Sequence, residues 1–250
     1  MPDMLDAARS AGAPIQAAVA TFMLHPETFA GSVAAGYQNP FAGYVAGRGG
    51  VLGEATGDAV SSVFVVFEPT ALAALWDEGV AVRGAGPAAD LYWQQTADFG
   101  RKYLASAEGL DRITALGEKL IATAPARGVP LFAGWRMKPL ADDPAARVLQ
   151  VWFILRELRA GLHFNALTLS SISPIEAHML NKGHDYAVKF GWPEPFADGR
   201  GKEAAYEEVE KATNRRMAEL FTEALTPDEA DEFARLCTAA HAAMMSALPG

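Results

Sequence analysis

The sequence has a single cysteine, Cys237, among its 250 residues. One thiol cannot form an intramolecular disulfide or a cysteine-based zinc cluster, which excludes a disulfide scaffold and fits a reducing compartment. The chain also lacks an uninterrupted apolar run of about 18 residues and begins with early acids, without a basic region that leads into an apolar run. We therefore expect a cytoplasmic protein with no membrane partner.

The chain also lacks a cluster of basic residues. It carries 30 acidic and 21 basic residues, a formal net charge of −9. Nucleic-acid binding draws much of its affinity from neutralised phosphates, so an acidic chain would have to collect its cations on one face. The densest basic groups, such as Arg147, Arg156 and Arg159, are interleaved with apolar residues. DNA stays open as a partner, but the charge does not favour it.

Helical patterns fill most of the chain, and half of the residues are apolar. Apolar spacing and proline punctuation predict a mainly α protein, with early helices over residues 13–24, 56–67, 91–105 and 110–124. We predict a loop over residues 79–90. The glycine-rich stretch Tyr44–Gly53 lacks the lysine and hydroxyl of a phosphate loop and predicts a turn-rich entry to the next helix.

Part of the pattern recurs at a fixed offset. Aligning Arg48 with Arg136 without gaps pairs apolar positions throughout, among them Tyr44 with Phe132, Val60 with Val148 and Phe64 with Trp152. This repeat predicts an internal duplication, with two similar halves related by a pseudo-twofold axis. The proline-rich stretch 124–130 then separates a first half, residues 1–124, from a second half, residues 131–250.

The second half contains the densest set of ionisable side chains within an apolar run, residues 155–167. Asp143 and Pro144 predict the start of its helix, an acid at the cap followed by proline in the first turn. Arg156, Arg159 and His163 would share one face of that helix, with Glu157 pointing elsewhere, unless Gly161 ends the helix first.

A helix, a four-residue turn and a second helix follow from residue 163 onward. Ser173 as the cap, Pro174 in the first turn and Glu176 three residues after the cap form a capping box, and Gly183 is a suitable stop. The spacing is that of a helix-turn-helix, although Ser171 stands where glycine is usual. Glu176 near the front of the second helix would repel phosphate.

Two motifs carry a resemblance to a known family. Tyr44–Gly53 resembles a motif Tyr-Phe-Ala-Gly-Arg-Ala-Ala-Pro-Leu-Gly, and Arg156–Leu167 resembles Arg-Glu-His-Arg-Gly-Asp-x-His-x-x-Ala-Leu. Both occur in an actinobacterial family described as helix-turn-helix-like. The resemblance implies winged-helix-like modules in tandem and brings no established activity. Leu158 replaces a histidine and Ala160-Gly161 replace Gly-Asp, so it assigns no polar role to these three positions.

His163, Glu157 and Arg159 are the candidate catalytic residues, with His163 as a general base tuned by its neighbours. A histidine bonded to backbone in the protein interior explains the same pattern. The candidate ligand-binding residues are arginines, aromatics and a second histidine: Arg48, Tyr44, Arg136, Trp135, Trp152, Arg156, His178 and Trp192. We predict no metal site, because no recognised ligand spacing links His163, His178 and His184.

Three functions therefore stay open. The leading hypothesis is a tandem winged-helix-like protein that binds a small, largely apolar molecule between its halves, as a ligand-responsive regulator or a sequestering protein. The second is an enzyme that uses His163 with Glu157 or Arg159 for acid–base chemistry in the same cleft. The third is a DNA-binding repressor. The sequence identifies no cofactor, and it leaves a homodimer open.

Overall fold

A computed structural model describes residues 3–249 of the protein, which form α-helices and one 3₁₀ helix but no β-strand. The first seven α-helices are α1 (Met4–Leu24), α2 (Pro26–Ala34), α3 (Pro40–Gly49), α4 (Gly57–Ser61), α5 (Pro69–Arg83), α6 (Ala85–Tyr103) and α7 (Leu110–Thr123). The 3₁₀ helix, Gly50–Leu52, follows α3. The later α-helices are α8 (Pro130–Trp135), α9 (Pro144–Thr168), α10 (Pro174–Lys182), α11 (His184–Lys189), α12 (Glu203–Ala224) and α13 (Pro227–Ala247).

Helix α9 is the central element of the fold. Every residue from Val148 to Leu155 is buried, so this part of the helix has no solvated face and must be surrounded by other helices. It packs against α1, α6, α7, α8 and α12. One continuous hydrophobic core runs from Ala7 to Met244 and draws on both predicted halves.

Helix α9 starts where the sequence predicts, but it does not end at Gly161. The Asp143 side chain accepts a hydrogen bond from the Ala146 amide (2.9 Å), and Pro144 opens the first turn. The helix continues through Gly161 to Thr168. A β-carbon at Gly161 would lie 2.7 Å from Val129, so glycine here permits close packing within a continuous helix.

Four local predictions differ from the structure. The glycine-rich stretch from Tyr44 forms most of the buried helix α3, where Gly47 lets Tyr92 approach to a distance that a β-carbon would not allow. Residues 79–90 are helical apart from Gly84, at which α5 gives way to α6 with φ 77°. Small residues there allow close helix packing, and the prediction mistook them for a loop.

The other two differences concern helix ends. Helix α4 ends at Ser61, short of the predicted residue 67, where the hydroxyls of Ser61 and Ser62 bond to backbone carbonyls three residues earlier. Helix α1 begins at Met4, well before residue 13, because Asp3 caps it by accepting from the Leu5 amide. Pro14 therefore lies inside α1.

The mainly α class is confirmed. A winged-helix module needs a β-hairpin, and residues 3–249 contain no strand to form one, so the winged-helix part of the prediction finds no support there. The duplication stays a prediction, as does the division at residues 124–131. No helix within this range is long and apolar enough to span a bilayer.

Candidate functional site

A buried ion pair connects α3 to α9. The Arg48 Nε and Nη2 atoms donate to the two carboxylate oxygens of Glu157 at 2.8 and 2.9 Å. The two side chains are only 2% and 1% exposed. Phe64 covers the guanidinium, whose central carbon lies 4.4 Å from the ring centroid. One edge of the planar guanidinium thus bonds to both carboxylate oxygens away from solvent. This bidentate geometry gives a guanidinium–carboxylate pair its strength.

Two further groups complete this network. Arg156 Nη1 donates to Glu157 Oε1 at 2.8 Å, and Arg48 Nη1 donates to the Tyr44 hydroxyl at 3.2 Å. Burial alone would raise the pKa of Glu157, but the charges of Arg48 and Arg156 outweigh it and hold that pKa below its usual value of 4.5. Glu157 is consequently an ionised structural partner at neutral pH.

Tyr44 and Arg156 also line a cavity of about 630 Å³. Most of its lining residues come from α1, α9, α10, α11 and α12. Exposed lining residues mark its mouth, with Arg9 and Ala13 on α1 facing Asn181 and Lys182 on α10. The cavity has the volume of a small-molecule site, and its lining combines residues from before position 124 and after position 131.

Much of the cavity interior is apolar and shielded from solvent. Its buried apolar lining consists of Ala8, Ile15, Met23, Leu155, Ala160, Met217, Phe221 and Phe233. The lining residues of α12 run from Tyr206 to Phe221, a rise of about 22 Å along the helix axis at 1.5 Å per residue. The cavity is therefore elongated.

A polar chain crosses the cavity between α9 and α12. Arg159 Nη2 donates to Glu210 Oε2 at 2.8 Å and to Asn214 Oδ1 at 3.3 Å. The other carboxylate oxygen of Glu210 lies 3.4 Å from His163 Nδ1 and accepts from the Tyr206 hydroxyl. The carboxylate that contacts His163 is therefore Glu210, while Glu157 contacts the two arginines.

Both cavity histidines are driven towards their neutral form. Burial lowers the pKa of His163 below its usual 6.5; Glu210 acts in the opposite direction, and Arg159 adds to the lowering. Burial likewise lowers the pKa of His178, whose Nε2 atom is buried with no hydrogen-bond partner among the described residues. A neutral imidazole can accept or donate a proton, so either could bond to a polar ligand.

The helix-turn-helix segment lies beside this cavity. Helix α9 ends at Thr168, and α10 begins after the cap residue Ser173, which forms the predicted capping box with Glu176. Ile172 and Ala177 pack with Val209 of α12 in a small second core. The segment is thus anchored on α12 as well as on α9.

Helix α10, the second helix of the helix-turn-helix segment, is only partly accessible. Ile175 and His178 are buried, and Asn181 and Lys182 line the cavity mouth. Glu176 accepts a bond from Lys202 Nζ at 2.7 Å. Asn181 and Lys182, which could address bases or phosphates, remain exposed to solvent at the cavity mouth.

Comparison with protein families now identifies the chain. A model described as a helix-turn-helix family matches residues 8–202, which is more than half of the chain. The protein belongs to this helix-turn-helix family. No curated protein and no solved structure matches it significantly. The family match covers α9 and α10, and it ends immediately before α12.

The structure of this helix-turn-helix protein brings together some of the predicted site residues and separates others. Five of them line the cavity, namely Tyr44, Arg156, Arg159, His163 and His178. Glu157 and Arg48 lie behind the wall in the buried network. The other four lie outside the cavity lining: Arg136, Trp135, Trp152 and Trp192.

These four outlying residues have structural partners. Trp135 and Trp152 are core residues, and the Trp135 indole donates to the Arg48 carbonyl at 3.1 Å. Arg136 donates to the Ala124 carbonyl, and Trp192 donates to the Val66 carbonyl. Aromatic and arginine content alone could not distinguish such contacts from ligand contacts.

Sequence reasoning missed the contribution of α12. Its cavity residues recur at helical spacing and are Tyr206, Glu210, Asn214, Met217 and Phe221. This stripe could have been recognised, because its apolar end and polar centre share one face. The many charges on the other faces of α12 made the whole helix resemble a solvated one.

We expect the Arg48–Glu157 pair to dominate stability among single side-chain changes. Arg48→Met should lower the free energy of unfolding by about 3–5 kcal/mol at neutral pH, because it leaves a buried carboxylate with one partner. Urea denaturation measures the change. Glu157 has a depressed pKa, so its stabilising contribution is complete above pH 4.5 and is lost as the pH falls through the folded-state pKa.

The matched control is Arg215→Met on the exposed surface of α12, which should change stability by less than about 0.5 kcal/mol. The cost of Arg48→Met should shrink in acid, since protonated Glu157 no longer needs the pair. A cost that equals that of Arg215→Met, or that stays constant down to acid pH, would contradict the assignment.

Proposed function

We propose that this helix-turn-helix protein binds a small, largely apolar molecule in the cavity between α1 and α9–α12, as a ligand-responsive regulator or a sequestering protein. The observation that supports the proposal is the cavity itself, about 630 Å³ with a lining that is more apolar than polar and polar side chains at defined positions. A pocket of this composition is the usual setting for a small organic ligand.

The position of the cavity suggests how binding could be transmitted. Its walls include α10, the second helix of the helix-turn-helix segment, through His178, Asn181 and Lys182. If α10 can take two positions relative to α9, a ligand that contacts these residues shifts the equilibrium towards the position that it binds more tightly. The size of the shift is set by the difference between its two affinities. Sequestration requires no such coupling and uses the same cavity.

Gly12 gives a direct test, since it lines the cavity and a β-carbon there meets no atom within 4 Å. Gly12→Leu should fill part of the cavity and weaken binding of the neutral dye N-phenylnaphthylamine, measured by fluorescence, about tenfold or more, equivalent to 1.4 kcal/mol. The same substitution should leave the fold intact and stabilise α1 by up to about 1 kcal/mol, because leucine favours a helix more than glycine.

The matched control is Gly86→Leu, an exposed helical glycine with equally open surroundings and no place in the cavity. Dye binding that is unchanged by both substitutions, or weakened equally by both, would refute the proposed binding site. Native mass spectrometry of the protein from its own host would then show whether any ligand is retained.

Acid–base catalysis is a second candidate, favoured by His163 in the cavity wall beside Glu210. Any compound released from the purified protein would be incubated with it and assayed for product by mass spectrometry. Under this candidate His163→Ala abolishes turnover, because the substitution removes the proposed general base. Turnover that persists in His163→Ala would exclude the mechanism, and binding without turnover in the wild type would leave the ligand-binding function.

DNA binding is a third candidate, favoured by the family to which the chain belongs. A DNA-binding regulator should retard its own upstream fragment in a gel at low salt, with a steep loss as salt rises. Lys182→Ala should weaken that retardation if α10 contacts phosphate, whereas Lys211→Ala on α12 serves as the control. No retardation at low salt would count decisively against this function.

A further inference from the structure

The charge of the cavity lining is opposite to that of the protein. The lining contains four basic residues, Arg9, Arg156, Arg159 and Lys182, and one acidic residue, Glu210. The whole chain has 30 acidic and 21 basic residues. A cavity with an excess of cations in an acidic protein concentrates anions and repels cations. The excess of cations in the lining is not needed for the buried ion pair, which consists of Arg48 and Glu157. We therefore relate it to the charge of the ligand.

Arg156 is held in place with most of its donors unused. Its Nη1 atom donates to Glu157, and its Nε and Nη2 atoms make no hydrogen bond with the residues that the structure describes. Glu157 is itself fixed by Arg48, so the Arg156 guanidinium has a defined position in the cavity wall. A guanidinium with a free edge suits a planar, two-oxygen acceptor.

Two more groups at the cavity have unused hydrogen-bonding capacity. The Tyr44 hydroxyl accepts from Arg48, and its own proton has no acceptor among the described residues, although the side chain is buried. His178 is 5% exposed, and its Nε2 has no hydrogen-bond partner there. Buried polar groups are rarely left without a partner. Both would be satisfied by oxygen atoms of a ligand.

The net charge of the side chains around the cavity favours a ligand with one negative charge over a ligand with two. Arg48 and Arg156 share the single carboxylate of Glu157, which leaves one uncompensated positive charge beside the cavity. Arg159 is compensated by Glu210. The remaining cations, Arg9 and Lys182, lie at the exposed mouth, where water screens them. A carboxylate would neutralise the excess charge, and a phosphate dianion would exceed it.

We propose that the ligand is an amphipathic carboxylate. Its head group bonds to Arg156 and Tyr44, and its apolar body lies along the buried apolar side chains of the cavity, among them Leu155 and Phe221. This inference rests on the proposed binding function and names its ligand class. The elongated cavity accommodates a chain better than a compact ring system, because its lining on α12 extends over about 22 Å.

The test compares three probes that share one apolar chain: decanoate, decan-1-ol and decyl phosphate, each titrated calorimetrically below its micelle concentration. Decanoate should bind most tightly to the wild-type protein. Arg156→Met should weaken decanoate about 10- to 100-fold, the range expected for hydrogen bonds to a charged group. Decan-1-ol should be affected by less than about threefold.

Two further variants make the result specific. Arg215→Met, on the exposed surface of α12, removes the same charge outside the cavity and should leave all three affinities unchanged. Tyr44→Phe keeps the Arg48–Glu157 pair and should weaken decanoate selectively. It therefore tests the head-group position even if Arg156→Met fails to fold.

Each outcome separates the inference from the proposed function. Equal affinity for decanoate and decan-1-ol, or loss of both in Arg156→Met, would overturn the carboxylate assignment and leave the binding function in place. Tighter binding of decyl phosphate would assign the site to a phosphate. If no probe binds and Gly12→Leu leaves dye binding unaffected, the binding function fails as well.

Discussion

The ion pair between Arg48 of α3 and Glu157 of α9 joins two residues that are 109 positions apart in the chain. Taking both charges out of water is costly, and the cost is offset only when α3 and α9 hold the guanidinium and carboxylate in register. The pair therefore fixes the position of α3 relative to α9 at this point of the core. It also positions Arg156 and Tyr44, so a structural interaction in the core sets the geometry of the cavity wall.

The cavity lies beside a largely buried helix and is lined in part by small side chains. Helix α9 is buried on all sides from Val148 to Leu155, and α1 contributes Ala8, Gly12, Ala13 and Ala20 to the lining. These small side chains fill little of the cavity, although α1 also packs directly against α12. The polar chain from Arg159 through Glu210 to His163 then holds α9 and α12 together within the cavity wall.

Membership of a helix-turn-helix family and the orientation of α10 point to different uses of the same segment. The fold of the segment follows the local rules of caps and turns, and Ser173 and Glu176 satisfy them. Its role depends on which face is exposed. Here Ile175 and His178 are buried and Ile172 of the turn packs against Val209 of α12, so the helix contributes His178 to a cavity wall, while Asn181 and Lys182 stay exposed at the cavity mouth.

The sequence by itself determined the mainly α class, the caps at Asp143 and Ser173, and the shared face of Arg156, Arg159 and His163, because these depend on interactions within four residues of the chain. The burial of Tyr44–Gly49, the partner of Glu157 and the role of α12 were decided by tertiary structure. The sequence around Gly47 is compatible with a turn and with a close contact between helices. The position of Tyr92, which would clash with a β-carbon at Gly47, shows that the contact is the reason for the glycine. Likewise, Glu157 and Glu210 are equivalent by residue type, and their different partners follow from which helices pack together.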